Sequence, residues 1–470
     1  LLVMSIVPGL LLPVAPWPRS RRWRLALALL PAAALASHLS VEGWRVQLAP
    51  VYLLAALLPA GPLRALRRRG SERPVARPGR RAALGSAAAA VGLALGALLA
   101  GWALPVPTLP VPTGPYWVGV VDRELVDTAR GRRLMATVWY PAAHRQPGGR
   151  APGGSPAPLT RHPDAIAAGL ARLTGLPALA FQHLRYVTVA ARDGVPVLAG
   201  GARLPVLVFS HGMVGLRLQN APTCQELASW GYVVVALDHT DAAAVTVFPD
   251  GVTRFHDLIR FGVPVGVAAD DAQVSARVFP AWVADQRAAY GALAAWDARD
   301  PVLAGRLDLT RLGSFGHSFG GATALEVCRV DARCRAAADL DGGVYGALRT
   351  EPAVRPLLLV TSEASGRLPY AVARWARLIG RARATAAWLE LPHSGHLSFT
   401  LTPLLSPLLA PPGLDPAAGL RTTDAYLRAF FDAQLDVARP GSRPTWPPAR
   451  ALGTTRAPTG DGAEVRWRRE

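Results

Sequence analysis

The chain has 470 residues, enough for two or three domains, and 51% of them are hydrophobic with a mean hydropathy of +0.22, which excludes wholesale disorder. Basic residues outnumber acidic ones 51 to 32 and none of them is lysine; an Arg-only, Ala-, Gly- and Pro-rich chain fits coding bias in a GC-rich genome better than a nucleic-acid surface. Three cysteines exclude a disulfide-rich scaffold, and no spacing suits a zinc site.

The charge is uneven. Residues 1–115 carry thirteen Arg and two acids, Glu42 and Glu72. Four apolar stretches lie in the same region: Leu1–Trp17, Leu25–Val41, Val46–Leu63 and Ala82–Pro105. A spanning helix needs about 20 apolar residues. The expectation is a transmembrane segment of about four helices over residues 1–105. Pro8, Pro13 and Pro31 interrupt the earlier stretches, as spanning helices tolerate. Arg clusters at 19–24 and 64–81 separate the first stretch from the second and the third from the fourth. By the positive-inside rule both loops are cytoplasmic, so everything after residue 105 is placed outside, in a multi-pass cell-membrane protein. No basic residues precede the first stretch, which disfavours a cleaved leader. Residues 106–115 read as a Pro-rich linker of polyproline II character.

Residues 116–440 alternate strand and helix patterns, with Tyr116–Val121 and Leu134–Tyr140 opening the series. Pro163–Thr174 is weakly helical, and Gly148–Pro158 reads as a loop. Leu204–Ser210, a continuous apolar run, fits a buried parallel strand. A helix at Gln219–Trp230, a strand at Tyr232–Leu237 and a long helix at Val274–Trp296 follow. Strands at Arg311–Phe315, Ala336–Leu340, Pro356–Thr361 and Ala386–Leu391 come next, with helices at Gly320–Val327 and Asp424–Leu435. This order predicts an α/β class domain with a mostly parallel sheet flanked by helices. The tail, 441–470, is Arg- and Pro-rich and reads as flexible.

The chemistry centres on Gly316-His317-Ser318-Phe319-Gly320, a G-x-S-x-G sequence between an apolar strand and a helix start. Its glycines permit the tight turn that presents a nucleophilic serine, and His317 packs beside it. A serine hydroxyl needs a base, and the base an orienting carboxylate. On this fold they follow in the order Ser, acid, His. Asp341 comes just after an apolar strand and precedes Gly342-Gly343, with Asp339 one pleat away as the alternative acid. His396, after Gly395, is the candidate base, with His393 as the alternative. The oxyanion donors are the backbone N–H groups of Phe319 and Met213, the latter in the loop after Leu204–Ser210. His211 shapes that loop. His239 and Asp241 either line the pocket or are turn residues. Cys328 and Cys334 can form a disulfide if the domain is extracytoplasmic, and Cys224 is a buried small hydrophobe. No cofactor or metal is called for.

FSHG at 209–212, GRLDLTRLGSFGHSFGG at 305–321, LDG at 340–342 and GHLSF at 395–399 resemble the platelet-activating-factor acetylhydrolase and lipoprotein-associated phospholipase A2 family of α/β-hydrolases. The resemblance covers about residues 116–435. It implies Ser318, Asp341 and His396 as a triad, Met213 and Phe319 as the oxyanion hole, and a metal-independent esterase of short or oxidised acyl chains. The N-terminal segment is no part of the secreted members, and Gly342-Gly343-Val344-Tyr345 departs from their bulkier residues. The expected function is therefore a membrane-anchored serine carboxylic ester hydrolase on small-molecule or lipid esters, beside a lipid bilayer and without nucleic acid. An acyltransferase using the same acyl-enzyme is one alternative. A membrane receptor or transporter with an inactive hydrolase domain is the other, but no triad member is missing.

Overall fold

The computed structural model describes residues 21–57, 80–145, 153–264 and 272–437. It divides into two compact units. One takes in Leu1–Val106 with Leu179–His183, the other Pro107–Ala178 and Leu184–Glu470.

In the first unit, helices Arg21–Val41, Ala49–Leu57 and Arg80–Ala103 share a small core of Val51, Tyr52, Leu54, Ala55, Ala90 and Ala97. The hydroxyl of Tyr52 bonds His38 Nε2 at 2.9 Å and accepts from the Arg45 N–H at 3.0 Å. Leu29, Leu30, Leu95, Leu98, Leu99 and Trp102 remain exposed.

The expected multi-pass membrane segment finds no support in the described residues. Among the described residues, no helix is long and apolar enough to cross a membrane. The first expected stretch lies outside the described residues. The second forms a helix that opens on Arg21, Arg22 and Arg24 and contains Pro31. Of the third, Val46–Leu48 is a 3-10 turn and Ala49–Leu57 is helical, and residues 58–63 lie outside the described residues. The fourth, Arg80–Ala103, is longer, but fourteen of its 24 residues are Ala or Gly, which bring little apolar surface each.

The second unit is a ten-stranded sheet with the order β12-β11-β10-β9-β5-β6-β2-β1-β4-β3. Its strands are β1 Tyr116–Asp127, β2 Arg132–His144, β3 Pro156–Pro158, β4 Thr188–Asp193, β5 Leu204–Ser210, β6 Val233–Asp238, β9 Leu307–His317, β10 Cys334–Leu340, β11 Leu357–Ser362 and β12 Ala386–Leu391. β7 Val245–Val247 and β8 Thr253–Phe255 form a separate hairpin. From β12 to β6 all neighbours are parallel. The β1–β2 hairpin closes antiparallel onto β6. β5, β6 and β11 are buried along their whole length, as their unbroken apolar runs require when helices cover both faces. The order and the flanking helices are those of an α/β-hydrolase fold.

The expected linker is held on the second unit. The N–H and hydroxyl of Thr113 donate to Glu226, and the Gly114 N–H donates to Ser229 Oγ at 3.0 Å. Gln225 Nε2 donates to the Pro110 carbonyl at 2.9 Å. All three acceptors or donors belong to the helix Ala221–Ser229. The tail 441–470 lies outside the described residues.

Cys328 and Cys334 form a disulfide with Cα atoms 4.8 Å apart, and Cys224 is buried and free. The bridge closes a loop between the helix Phe319–Val330 and β10. A loop of about seven residues implies an entropic contribution of roughly 2 kcal/mol. Cys328→Ser with Cys334→Ser is therefore expected to lower the unfolding free energy by about that amount, measured by urea unfolding. An unchanged midpoint would show that the bridge constrains little.

Candidate active site

Four strands deliver the site at their carboxyl ends, where ligands bind in open α/β sheets. β9 ends at His317 and the helix Phe319–Val330 starts two residues on. Ser318, between them, is held at φ 57° and ψ −123°, a strained backbone for a residue with a β-carbon. A β-carbon at Gly316 would overlap the Gly320 carbonyl, and one at Gly320 would overlap the carbonyls of Ser210 and His211. Only glycine lets the turn close this tightly. Strain at Ser318 is the consequence, and it lifts the side chain away from the sheet.

Ser318 Oγ lies 2.9 Å from His396 Nε2. His396 Nδ1 lies 2.7 Å from Asp341 Oδ2. Asp341 follows β10 and is itself at φ 56°. Its Oδ1 accepts from the Ser362 N–H at 2.7 Å, and its Oδ2 accepts from the hydroxyls of Ser362 and Ser365 at 2.9 and 2.8 Å. Burial pushes the Asp341 carboxyl up, but the hydrogen bonds from His396, Ser362 and Ser365 outweigh it and hold the group below the usual carboxylate range. With Asp341 ionised, the imidazole proton sits on Nδ1 and Nε2 is free to accept from Ser318.

The alternatives are placed elsewhere. Asp339 is fully buried. Its Oδ1 accepts from the Gly342 N–H at 2.8 Å, and its Oδ2 has no partner among the described residues. Burial raises its pKa well above the ordinary value, which favours the neutral acid. The His393 N–H donates to Glu363 at 2.7 Å and its ring is exposed, away from Ser318. Asp241 pairs with Arg254 at 2.8 Å at a positive-φ turn. His211 is buried and bonds the Gly212 carbonyl at 2.6 Å while its Nε2 accepts from the His239 N–H at 3.1 Å. It ties the loop after β5 to the loop after β6.

Asp339 supplies a stability prediction. Its folded pKa is raised, so between about pH 4 and that value the unfolded chain releases a proton that the folded chain keeps. Stability then falls as pH rises, by up to about 1.4 kcal/mol per pH unit. Asp339→Asn keeps the shape without the titration. It is expected to be more stable than wild type at pH 8, with the gap closing toward pH 4. Parallel pH profiles of urea unfolding for the two chains would show that Asp339 is not held neutral.

His239 belongs to a second array with the same residue types. Its Nε2 is 3.1 Å from Ser210 Oγ and its Nδ1 is 3.1 Å from Asp285 Oδ2. Its ring stacks on Trp282 at 3.9 Å between centroids. Ser210, His239 and Asp285 are fully enclosed, and Arg130 and Arg132 both pair with Asp285 at 2.8 Å. No ester reaches it. The array braces β5 and β6 against the helix Ala272–Arg299.

The oxyanion candidates flank the nucleophile. The Phe319 N–H opens a helix, where the amide has no intrahelical carbonyl to meet, and the helix end favours negative charge. Met213 lies in the loop after β5. Its side chain packs against a buried cluster of Ala242, Val263, Val274, Val278, Phe279, Trp282, Phe319 and Ala322. Phe319 meets Trp282 at 5.0 Å and Tyr345 at 5.1 Å, edge to face. The Phe319 and Trp282 rings are part of the buried core beneath the helix that follows Ser318, with Tyr345 packed against it. Sequence reasoning missed Ser362 and Ser365, which orient the acid, and Gln219, which bonds His317. Ser362 ends an apolar strand, a position that could have singled it out; Gln219 has no such mark.

With this geometry in place, three comparisons bear on it. Residues 105–253 match the family described as Platelet-activating factor acetylhydrolase, isoform II. The platelet-activating factor acetylhydrolase of Cavia porcellus is 26% identical over 275 residues, which are 54% of this chain and 61% of that protein. A probable 1-alkyl-2-acetylglycerophosphocholine esterase of Arthroderma benhamiae is 29% identical over 253 residues, 51% of this chain and 59% of that protein. The chain thus spans about three fifths of the length of these curated relatives. Among solved structures, a ferulic acid esterase from Streptomyces cinnamoneus superposes with a TM-score of 0.55 and 28% identity, over 72% of this chain and 97% of that one. Together the matches make the chain similar to ester hydrolases over part of its length. They do not reach the individual roles of Ser318, Asp341 and His396.

Proposed function

We propose that the chain is a serine carboxylic ester hydrolase that works through Ser318, His396 and Asp341 by way of an acyl-enzyme. The observation that carries this reading is the unbroken array from Ser318 Oγ to His396 at 2.9 Å and on to Asp341 at 2.7 Å, set on a strained turn at the open edge of the sheet. Ser318 Oγ attacks the ester carbonyl while its proton passes to His396 Nε2. Asp341 stabilises the imidazolium, and the Phe319 and Met213 N–H groups receive the oxyanion. Collapse expels the alcohol, which takes the proton from His396. Water then attacks the acyl-enzyme by the same route and the acid leaves, so ester and water become acid and alcohol. The His396 side chain is 47% exposed. Water reaches the acyl-enzyme easily there, which favours hydrolysis over transfer to another alcohol.

The named relatives favour a short-chain or lipid ester as substrate. A second reading, an ester of an aromatic acid, is favoured by the coverage of the ferulic acid esterase. We place the hydrolase unit in an oxidising, extracytoplasmic compartment on the strength of the Cys328–Cys334 disulfide. The test is purified protein assayed on p-nitrophenyl acetate, a 1-alkyl-2-acetyl phospholipid and methyl ferulate. Turnover of the acetyl esters supports the first reading, and preference for methyl ferulate supports the second. No turnover of any of the three by folded protein would overturn both.

A further inference from the structure

The oxyanion loop after β5 and the base loop after β12 come from distant parts of the chain, yet one line of hydrogen bonds joins them beneath Ser318. The Gly212 N–H donates to Gln219 Oε1 at 3.0 Å. Gln219 Nε2 lies 2.7 Å from His317 Nδ1. His317 Nε2 lies 2.7 Å from the His396 carbonyl oxygen. Both ends fix the direction of the line. A backbone N–H only donates, so Gln219 turns its carbonyl to Gly212 and its amide to His317. A backbone carbonyl only accepts, so His317 carries its proton on Nε2 and accepts at Nδ1.

His317 is buried and its ring centroid is 4.6 Å from that of His396. Burial, with the neighbouring His396, pushes its pKa down to about 3. The neutral form that the hydrogen bonds require therefore persists across the working range. An apolar residue here would leave the His396 carbonyl and the Gln219 amide without these partners, at a cost typical of buried unpaired groups.

We propose that Gln219 and His317 are positioning residues: a neutral strut that sets the oxyanion loop and the base His396 at a fixed distance from each other across Ser318. The proposal rests on the hydrolase reading of Ser318 and His396. Neither strut residue is hydrogen-bonded to Ser318 Oγ or to the His396 imidazole, although the His317 ring packs beside that imidazole. Each acts through a backbone group, Gly212 on one side and His396 on the other.

The test combines kinetics with imidazole nitrogen NMR. A displacement of about 1 Å at a reacting centre costs on the order of 100-fold. Gln219→Leu and His317→Leu are each expected to lower kcat on p-nitrophenyl acetate about 10- to 100-fold, with KM within about twofold. Because both cuts sever one line, the double variant is expected to be no slower than the slower single one. His317→Gln keeps a donor and an acceptor and is expected to regain most of the rate. Independent, multiplying losses, or losses confined to KM, would overturn the strut. In wild type, His317 is expected as the neutral Nε2–H tautomer from pH 5 to pH 8. An Nδ1–H tautomer, or titration within that range, would overturn it whether or not the protein folds after substitution. A folded wild type without esterase activity would remove the hydrolase reading, and the tautomer alone would then decide the strut.

Discussion

Ser318→Ala is expected to lower kcat on p-nitrophenyl acetate by about four to six orders of magnitude while leaving the fold intact. Alanine removes only the oxygen that attacks. Ser318 holds its place through its backbone, which the variant keeps: its N–H donates to the Leu340 carbonyl at 2.8 Å, and its carbonyl accepts from Gly321 at 3.0 Å. The strained φ of 57° is not relieved by alanine, so stability is expected to change little. Binding and the oxyanion donors remain and account for the residual rate. Circular dichroism and thermal unfolding beside the assay separate lost chemistry from lost fold. Turnover within tenfold of wild type would assign the nucleophile elsewhere.

Asp341→Asn carries the second largest effect, and hydrogen-bond direction argues it. The Ser362 N–H donates to Oδ1 at 2.7 Å. That group can only donate, so the asparagine must keep its carbonyl there and turn its amide toward His396. An amide facing Nδ1 makes that nitrogen an acceptor and moves the imidazole proton to Nε2. Nε2 can then no longer take the proton from Ser318. The expected loss in kcat is about 10⁴-fold with little change in KM. The hydroxyls of Ser362 and Ser365 can rotate to suit the new group, so the fold survives. A loss smaller than tenfold would show that the carboxylate does not set the tautomer of His396.

Much of this was legible in the sequence for a physical reason. β5, β6 and β11 are short, wholly buried runs, because a strand covered on both faces has no polar side to show, and β10 and β12 are mostly apolar. Ser318, Asp341 and His396 each follow such a run, and the carboxyl ends of parallel strands are where a sheet of this kind can build a site. β9 begins earlier than its apolar core suggests, since Leu307 and Asp308 pair with Leu204 and Pro205 before an irregularity shifts the register. β3 was read within a loop: it is three residues with two prolines, which only an edge position accepts. The helix Pro369–Arg381 went unread although it was legible as well, since Trp375 and Leu378 recur at helical spacing with arginines on the other face.

The membrane expectation, by contrast, finds no support among the described residues. Hydropathy counts apolar residues along the chain, but it does not show where a helix ends. Within Val46–Leu63 the described helix is Ala49–Leu57, and residues 58–63 lie outside the described residues. Gln219 went unnoticed because its role depends on a loop returning to the strand next door. No spacing in the sequence records that return.

The most direct test of the central claim is stoichiometric labelling of the folded protein with a fluorophosphonate, followed by peptide mass spectrometry. The array predicts one adduct per chain, on Ser318, formed by wild type and absent from Ser318→Ala. An adduct on another residue, or none on folded wild type, would contradict an activated nucleophile at this turn.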